Sequence, residues 1–418
     1  MCKDLSHSVI ICFLYVLMMV FLAVMPACDK ETPPPPPEPE HFENVVLVYA
    51  ASANNLYGNM LDDKSEMLRG LSDAVSPNCR LMLYETVPAS GGKERSAVLY
   101  EAKKSGKGDY VFKAVKEYPA TTFTTDPDRL AEVIRDVRDK RPSDRYGLMF
   151  WSHGGGWEPG FTDHEYPKSP VVAAGDPSED EDRLGMAKWW GVDAGGGISD
   201  KMDIDELADA LPDGCFDFIW FDCCYMSCIE LAYQLRHKTR YFVAYPTEVY
   251  SPGLDYSAAI PELLKPVADL PAAAKTIYDY YTYRVSYAPA AVTIGVFDLS
   301  VIEEVAAVAR RAYSGYVKPE TSGLQQYTRT GVLPAYDFRQ SMLASAVLAG
   351  NTLDSNNVDD VFRRFTVCKY ASERDFNGRL IESEKYCGMS AHIYNPDSFT
   401  ASERFYRSLD WFKAAYVE

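Results

Sequence analysis

Three cysteines, Cys223, Cys224 and Cys228, cluster in "IWFDCCYMSCIELAYQLR" (Ile219 to Arg236), where a strand-like apolar run gives way to a helical pattern. A thiol just ahead of a helix is biased towards its thiolate by the positive end of the macrodipole, and the thiolate is the nucleophile. Upstream, "LMFWSHGGGW" ends another strand-like run at His153, followed by three glycines. A histidine on a neighbouring strand end can take the thiol proton. Glycines beside it let backbone N–H groups come close to a substrate carbonyl, as an oxyanion hole requires. Each feature alone is common. Together, at successive strand ends, they point to acyl transfer by a Cys–His dyad.

Plainer readings stand beside this one. A cysteine at a strand end is more often a small buried hydrophobe than a nucleophile. Cys223 is expected to face the opposite side of the strand and pack in the core. Cys228, four residues after Cys224, is expected to share a helix face with it, and a disulfide between the two would silence the thiol. The other histidines have structural explanations: His164 lies in an acidic loop, His237 in "LRHK" caps a helix C-terminus, and His392 alternates within a strand. Trp151 and Trp157 read as packing residues, with Trp157 also placed to wall a cleft. The resting ionisation of the dyad stays open, because an apolar lining favours neutral imidazole and also raises a thiol pKa.

The elements that must hold these residues alternate. "VVLVYAA" from Val45 reads as a buried strand, and "GNMLDDKSEMLRGLSDAV" repeats Met60, Met67, Leu68, Leu71 and Val75 at helical spacing. "RLMLYETV" is a second strand. "DPDRLAEVIRDVRDK" is a helix with Pro127 at its first position and Leu130, Val133, Ile134 and Val137 on one face. "YGLMFWSHGGGW", "IDELADAL", "FDFIWFDCC", "IELAYQLR" and "YFVAYPTE" continue as strand, helix, strand, helix, strand. This order predicts an α/β domain with a mostly parallel sheet covered on both faces, carrying its chemistry at the carboxyl ends of the strands. Between His153 and Cys224 runs a Gly-rich acidic segment, of a length that in compact domains is functional or mobile. "AVTIGVFDLS" adds a strand, and "SVIEEVAAVARRAYSGY" opens a mainly helical region over 301–418, with a late strand at "CGMSAHIYNP" returning to a sheet. There is no internal repeat and no paired CxxC spacing for zinc.

Val9 to Met25 form an unbroken apolar run, short for a membrane span, followed by "PACDKETPPPPPEPE". This reads as a signal peptide over 1–27, with an uncleaved N-terminal anchor as the alternative. The Ala-Cys step at Cys28 resembles the lipobox of bacterial lipoproteins, which implies acylation of Cys28 and a place in the cell envelope, at the outer membrane or cell surface. Residues 28–44, rich in proline, are expected to form a stiff tether. A hydrophobic fraction of 47% and an aromatic fraction of 13% predict a large core. The net charge of -18 disfavours nucleic acid. Seven cysteines follow Cys28, an odd number that leaves at least one thiol without an internal partner.

"WSHGGGW" and "FDCCYMSCIELAYQLR" resemble the His and Cys motifs of the clostripain family of cysteine peptidases, and "VVLVYAASANNL" and "VFDLS" resemble its flanking segments. The resemblance runs over residues 45–300. It implies a caspase-like α/β/α sandwich over that range, with Cys224 at the nucleophile's place and Cys223 at that of a small residue. Tyr225 departs from the family's usual Leu, and the segment joining the motifs is longer than usual. The resemblance further implies that Asp222 reads Arg or Lys in a primary specificity pocket, where a buried carboxylate meets a cation in a charge-assisted contact. A second acidic residue is expected from the following loop, Asp255 in preference to Glu248. Calcium dependence and self-cleavage between the motifs are family traits. "SEDEDR" is the candidate calcium loop, and Lys168 the candidate processing site, with Arg183, Lys188 and Lys201 as rivals.

The expectation is therefore a monomeric, lipid-anchored cysteine endopeptidase with no organic cofactor. It acts on proteins or peptides with Arg or Lys at the cleavage site. Cys224 attacks, His153 handles the proton, and the amides of Gly154 and Cys224 hold the oxyanion. The alternatives are a catalytically silent surface lipoprotein that binds peptides or proteins on the same scaffold, and a related enzyme cleaving after Asp or Asn.

Overall fold

A computed structural model describes residues 41–418, apart from 73–74, 91, 93, 158–188, 196–197, 286–289, 329–333 and 417–418. Cys28, Lys168, His164, Arg183, Lys188 and the "SEDEDR" run lie outside the described residues.

Strand β1 (Asn44–Ala50) is buried along its whole length. Val45, Leu47 and Tyr49 enter one apolar layer, and Val46, Val48 and Ala50 enter another. Such a strand has no polar face, so it reads as a continuous apolar run. Helix α1 (Tyr57–Gly70) and strand β2 (Cys79–Val87) follow. Then comes a hairpin of β3 (Ser96–Lys104) and β4 (Tyr110–Tyr118), which the sequence reading passed over. Its β4 is largely half-exposed, so its sequence lacks the apolar continuity of β1.

Helix α2 (Pro127–Lys140) starts where the Asp126 side chain accepts from the amides of Asp128 and Arg129, with Pro127 in the first turn. It leads to β5 (Tyr146–Trp151). The chain resumes in a small hairpin of β6 (Trp190–Gly195) and β7 (Ile198–Met202), then α3 (Ile204–Ala210), β8 (Phe216–Asp222), α4 (Ile229–Gln234) and β9 (Thr239–Ala244). Helices α5 (Tyr256–Leu263) and α6 (Leu270–Asp279) precede β10 (Thr293–Asp298) and α7 (Ile302–Tyr313).

The main sheet runs β12-β10-β9-β8-β5-β1-β2-β3-β4, with β12 formed by Thr366–Ala371. From β9 to β2 it is parallel, and both margins are antiparallel. Helices α1, α5 and α6 cover one face, with Met60, Met67, Ile260, Leu263 and Ile277 packed inwards. Helices α2, α3, α4 and α7 cover the other. This is an α/β/α sandwich, in which each fully buried Leu, Ile or Val contributes about 1.5–3 kcal/mol. Gly147 of β5 faces Phe218 of β8, where an added Cβ would lie 2.2 Å from the phenyl ring. A glycine is needed there, and the fit pins the two strands that carry the motifs.

Two boundaries differ from expectation. Residues 42–44, assigned to the tether, belong to the fold: Phe42 is buried and its amide donates to Pro142 O, and Asn44 opens β1. The region after 301 is not set apart, since Glu40–Glu418 form one compact unit. Strand β11 (Tyr336–Asp337) leads to α8 (Phe338–Leu348), then α9 (Ser355–Phe365), β12 (Thr366–Ala371), β13 (Ser390–Ala391), α10 (Ala401–Ser408) and α11 (Asp410–Tyr416). Residues of α8, α9 and α11 share the apolar layer of β1 and β5. Strand β12 is the edge of the main sheet, with an alternating exposure typical of an edge. The late strand expected from Cys387 does return to a sheet, but only over Ser390–Ala391, which pairs with β11 in a sheet of two strands.

Candidate active site

Strands β5 and β8 are parallel neighbours whose register pairs Trp151 with Asp222. Two residues beyond that pair, the chains reach His153 and Cys224. Both motifs therefore leave the same edge of the sheet at the same level. The His loop is braced from behind: Ser152 Oγ donates to Ala51 O at 2.8 Å and accepts from the Val192 amide at 3.0 Å. The Gly155 amide donates to Trp189 O and the Gly191 amide to His153 O, which ties the loop to the β6–β7 hairpin.

His153 Nε2 lies 2.7 Å from Asn55 Oδ1. An amide oxygen only accepts, so Nε2 carries the proton and Nδ1 is the basic nitrogen. Burial and then the charge of Lys201 push the imidazole down to about 4. At neutral pH it is uncharged and suited to act as a general base. Lys201 lies in β7, its Nζ 4.0 Å from the centre of the Trp189 ring, and burial lowers it to about 8. Asn55 was quoted in the sequence motif without a role, because nothing local shows that it reaches His153.

Cys224 is half-buried, and the Val249 amide donates to its Sγ at 3.3 Å. The helix beyond it begins at Ile229 with Cys228 at the N-cap, so the dipole argument made for Cys224 falls on Cys228 instead. Cys228 is buried there, and it neither shares a helix face with Cys224 nor forms a disulfide with it. Between them Tyr225 holds φ at 62°, a left-handed conformation that costs a non-glycine residue of order 1–3 kcal/mol. Amides of Tyr225 and Ser227 donating to Thr247 O and Tyr245 O maintain it. Cys223 packs with Phe221 and Met226 in the opposite layer, and burial pushes its thiol well up, which makes it inert.

Gly154 presses on the backbone of the Cys motif: a Cβ there would stand 2.7 Å from Cys224 O and 3.0 Å from Cys223 Sγ. The neighbouring amides are occupied, Gly155 by Trp189 O and Gly156 by Met226 Sδ. Among the described residues, the Gly154 N–H donates to no backbone carbonyl. Gly154→Ala is expected to shift the His loop, lowering peptide turnover at least tenfold and stability by about 1–3 kcal/mol. Steady-state kinetics and a denaturant titration check both.

Asp222 is buried at the end of β8. Its Oδ2 accepts from Tyr256 OH at 2.9 Å and the Leu254 amide at 3.4 Å, and its Oδ1 from Tyr245 OH at 3.3 Å. Gly253, at φ 61°, brings bare backbone against this carboxyl, with an added Cβ 3.0 Å from Oδ2. Burial raises Asp222 to about 6, and the three hydrogen bonds oppose the rise. Among the described residues, no Lys or Arg pairs with it.

Asp255 is placed differently from the expected second pocket carboxylate. It caps α5, accepts from Ser257 Oγ and pairs with Arg284 at 3.2 Å, so its oxygens are committed within the protein. Glu248 accepts from Asn377 Nδ2. The carboxyl that does couple to Asp222 is Asp63 of α1, which accepts from the Trp151 indole N–H at 2.8 Å. Its only signal in the sequence was a charged residue on the helix face of Met60 and Met67. His392 is buried, 3.0 Å from Glu403 and stacked near Trp157, a packing role. Among the described residues, no group of three or more His, Cys, Asp or Glu is placed to hold a metal ion.

The model of the clostripain family (peptidase C11) matches residues 48–354. Clostripain from Hathewaya histolytica is 27% identical over 237 residues, which are 50% of this chain and 40% of that relative's own length. A secreted C11 cysteine protease from Bacteroides thetaiotaomicron, solved with an irreversible peptide inhibitor, aligns with a TM-score of 0.70 at 26% identity, over 89% of this chain and 98% of its own. An inactive zymogen C11 protease from Parabacteroides distasonis, 24% identical, shares the fold with a TM-score of 0.69 over 90% and 98% of the two chains. With the family model spanning most of the sandwich and both motifs at neighbouring strand ends, the chain belongs to the clostripain family of cysteine peptidases.

Proposed function

We propose that this chain is an endopeptidase that cleaves after Arg or Lys, with Cys224 as nucleophile and His153 as base. The observation that carries the specificity is Asp222, a buried carboxyl at the level of the nucleophile that no described cation neutralises. A buried charge is costly unless paired, so a guanidinium or ammonium arriving beside it is strongly favoured.

In this mechanism Cys224 Sγ attacks the carbonyl carbon of the basic residue while His153 Nδ1 takes the thiol proton. The carbonyl oxygen becomes an oxyanion, held by the amides of Gly154 and Cys224. The C–N bond breaks as His153 passes its proton to the leaving amine, leaving a thioester on Cys224. Water, deprotonated by His153, then attacks the thioester and returns the thiol and a carboxylic acid. Apart from the substrate and one water, every step uses groups of the chain itself.

The same reading includes acylation at Cys28 with attachment to the cell envelope, function as a monomer, and activation by cleavage at Lys168. A secreted relative and a zymogen relative support export and activation. Among the described residues, no helix is long and apolar enough to cross a membrane. The test is hydrolysis of fluorogenic peptides ending in Arg, Lys, Asp or Asn, with and without calcium. Turnover confined to Arg and Lys is expected. Preference for Asp or Asn would overturn the specificity, and a folded, reduced, processed protein with no turnover would leave the silent binding scaffold. A gain on adding calcium would assign a cation site.

A further inference from the structure

Asp63 lies on the buried face of α1 with Met60, Met67 and Gly70. Its carboxyl is 2% exposed, and its Oδ2 accepts from the indole N–H of Trp151, the residue paired in register with Asp222. Tyr256, which donates to Asp222 Oδ2, feels the charge of both carboxyls. Helix α5, which carries Tyr256, packs directly on α1, and a Cβ at Gly70 would stand 2.9 Å from Tyr256 O. Trp151 and Tyr256 thus link two buried carboxyls at the end of the sheet.

The charged and titratable groups around Asp63 can be named. Asp62 and Glu66 stand on its own helix, Trp151 faces it from β5, Asp222 from β8 and Tyr256 from α5. Lys64, the basic residue beside it in sequence, pairs with Glu85. Two buried carboxyls without a cation between them do not both ionise, and one keeps its proton. Burial and the charge of Asp222 raise Asp63 to about 9, whereas Asp222 itself rises only to about 6. Near neutral pH the charge is on Asp222 and the proton on Asp63.

Resting on the specificity proposed above, we propose that Asp63 is a positioning residue of the basic-residue pocket, which holds Trp151 in place, keeps the empty pocket at one negative charge, and releases its proton when a cation binds. The balance is simple: the carboxylic acid becomes a carboxylate and the proton goes to solvent. Burial is the larger cause of the rise at Asp63, and a cation beside Asp222 offsets the second cause, the repulsion from Asp222, so that Asp63 becomes more acidic. Affinity for a monocation should therefore rise with pH between neutral and about 9. Above that range Asp63 is ionised in the empty pocket too, and the gain ends.

The test is calorimetric titration of benzamidine into the Cys224→Ala protein between pH 7 and 9, in two buffers of different ionisation enthalpy. A tenfold gain in the acidity of Asp63 on binding corresponds to about fivefold tighter binding at pH 9 than at pH 7, and to release of about 0.4 proton at pH 8. In Asp63→Asn both effects should shrink to whatever the titration of Lys201, lowered to about 8, contributes. An unchanged pH slope and proton release in Asp63→Asn would overturn the inference while leaving the specificity intact. Benzamidine binding that is absent, or indifferent to Asp222→Asn, would instead overturn the specificity and this inference with it. A second measurement needs no Asp63 variant. At pH 8 the infrared difference spectrum on adding benzamidine should show the C=O stretch of a buried protonated carboxyl falling by roughly half, and an undiminished band would overturn the proposal.

Discussion

Cys224→Ala is expected to abolish the hydrolysis of Arg and Lys peptides proposed above, with kcat/KM falling by at least about 10⁴-fold. The expectation follows from position and access. Cys224 is half-buried, receives a hydrogen bond from the Val249 amide, and leaves β8 at the level where His153 leaves β5. Its neighbour Cys223 supplies the control. It lies in the opposite apolar layer with its thiol pushed well up, so Cys223→Ala should keep kcat/KM within about threefold and cost only packing energy. The paired kinetics, with labelling by a thiol-directed inhibitor and mass mapping, identify the nucleophile. Equal losses in both variants would point to disruption of the turn at Tyr225 instead.

Asp222→Asn should lower kcat/KM for Arg and Lys peptides by about 10²–10³, the loss of a buried charge pair, and do so mainly in the discrimination against neutral residues. The pH profile carries a separate signature. Asp222 is raised to about 6, so its charge, and with it attraction for a cation, is present above that pH and lost as pH falls through about 6. His153 is lowered to about 4 and stays unprotonated across that window. The acid limb of kcat/KM for basic peptides should therefore fall near 6, and Asp222→Asn should remove it. A limb that stays near 6 in the variant would assign it to another group.

Much of this arrangement was legible before any coordinates. The unbroken apolar run of β1 and the apolar spacing of α2 follow from strands covered on both faces and helices covered on one. The motif residues fall at strand ends because an open parallel sheet turns its loops there. The β3–β4 hairpin and β12 were not legible, because margin strands keep a solvated side and lose the apolar continuity that marks a central strand. The late strand is only Ser390–Ala391, paired with β11, and its apolar neighbours, Met389 and Ile393, are buried outside that strand.

By itself the sequence determined the layered α/β order, the two strand ends that carry Cys224 and His153, and the carboxyl of Asp222 two residues before Cys224. Those are local facts, set by periodicity, by glycine and by adjacency in the chain. Only the tertiary structure decided which groups meet across it: Asn55 on His153, Cys228 in place of Cys224 at the helix N-cap, Asp255 committed to its own helix and Arg284, and Asp63 brought to Trp151. Hydrogen bonds and charges act over a few ångströms of space whatever their separation in the chain. A carboxyl on the first helix therefore meets the end of β5 only when helices and sheet close over it.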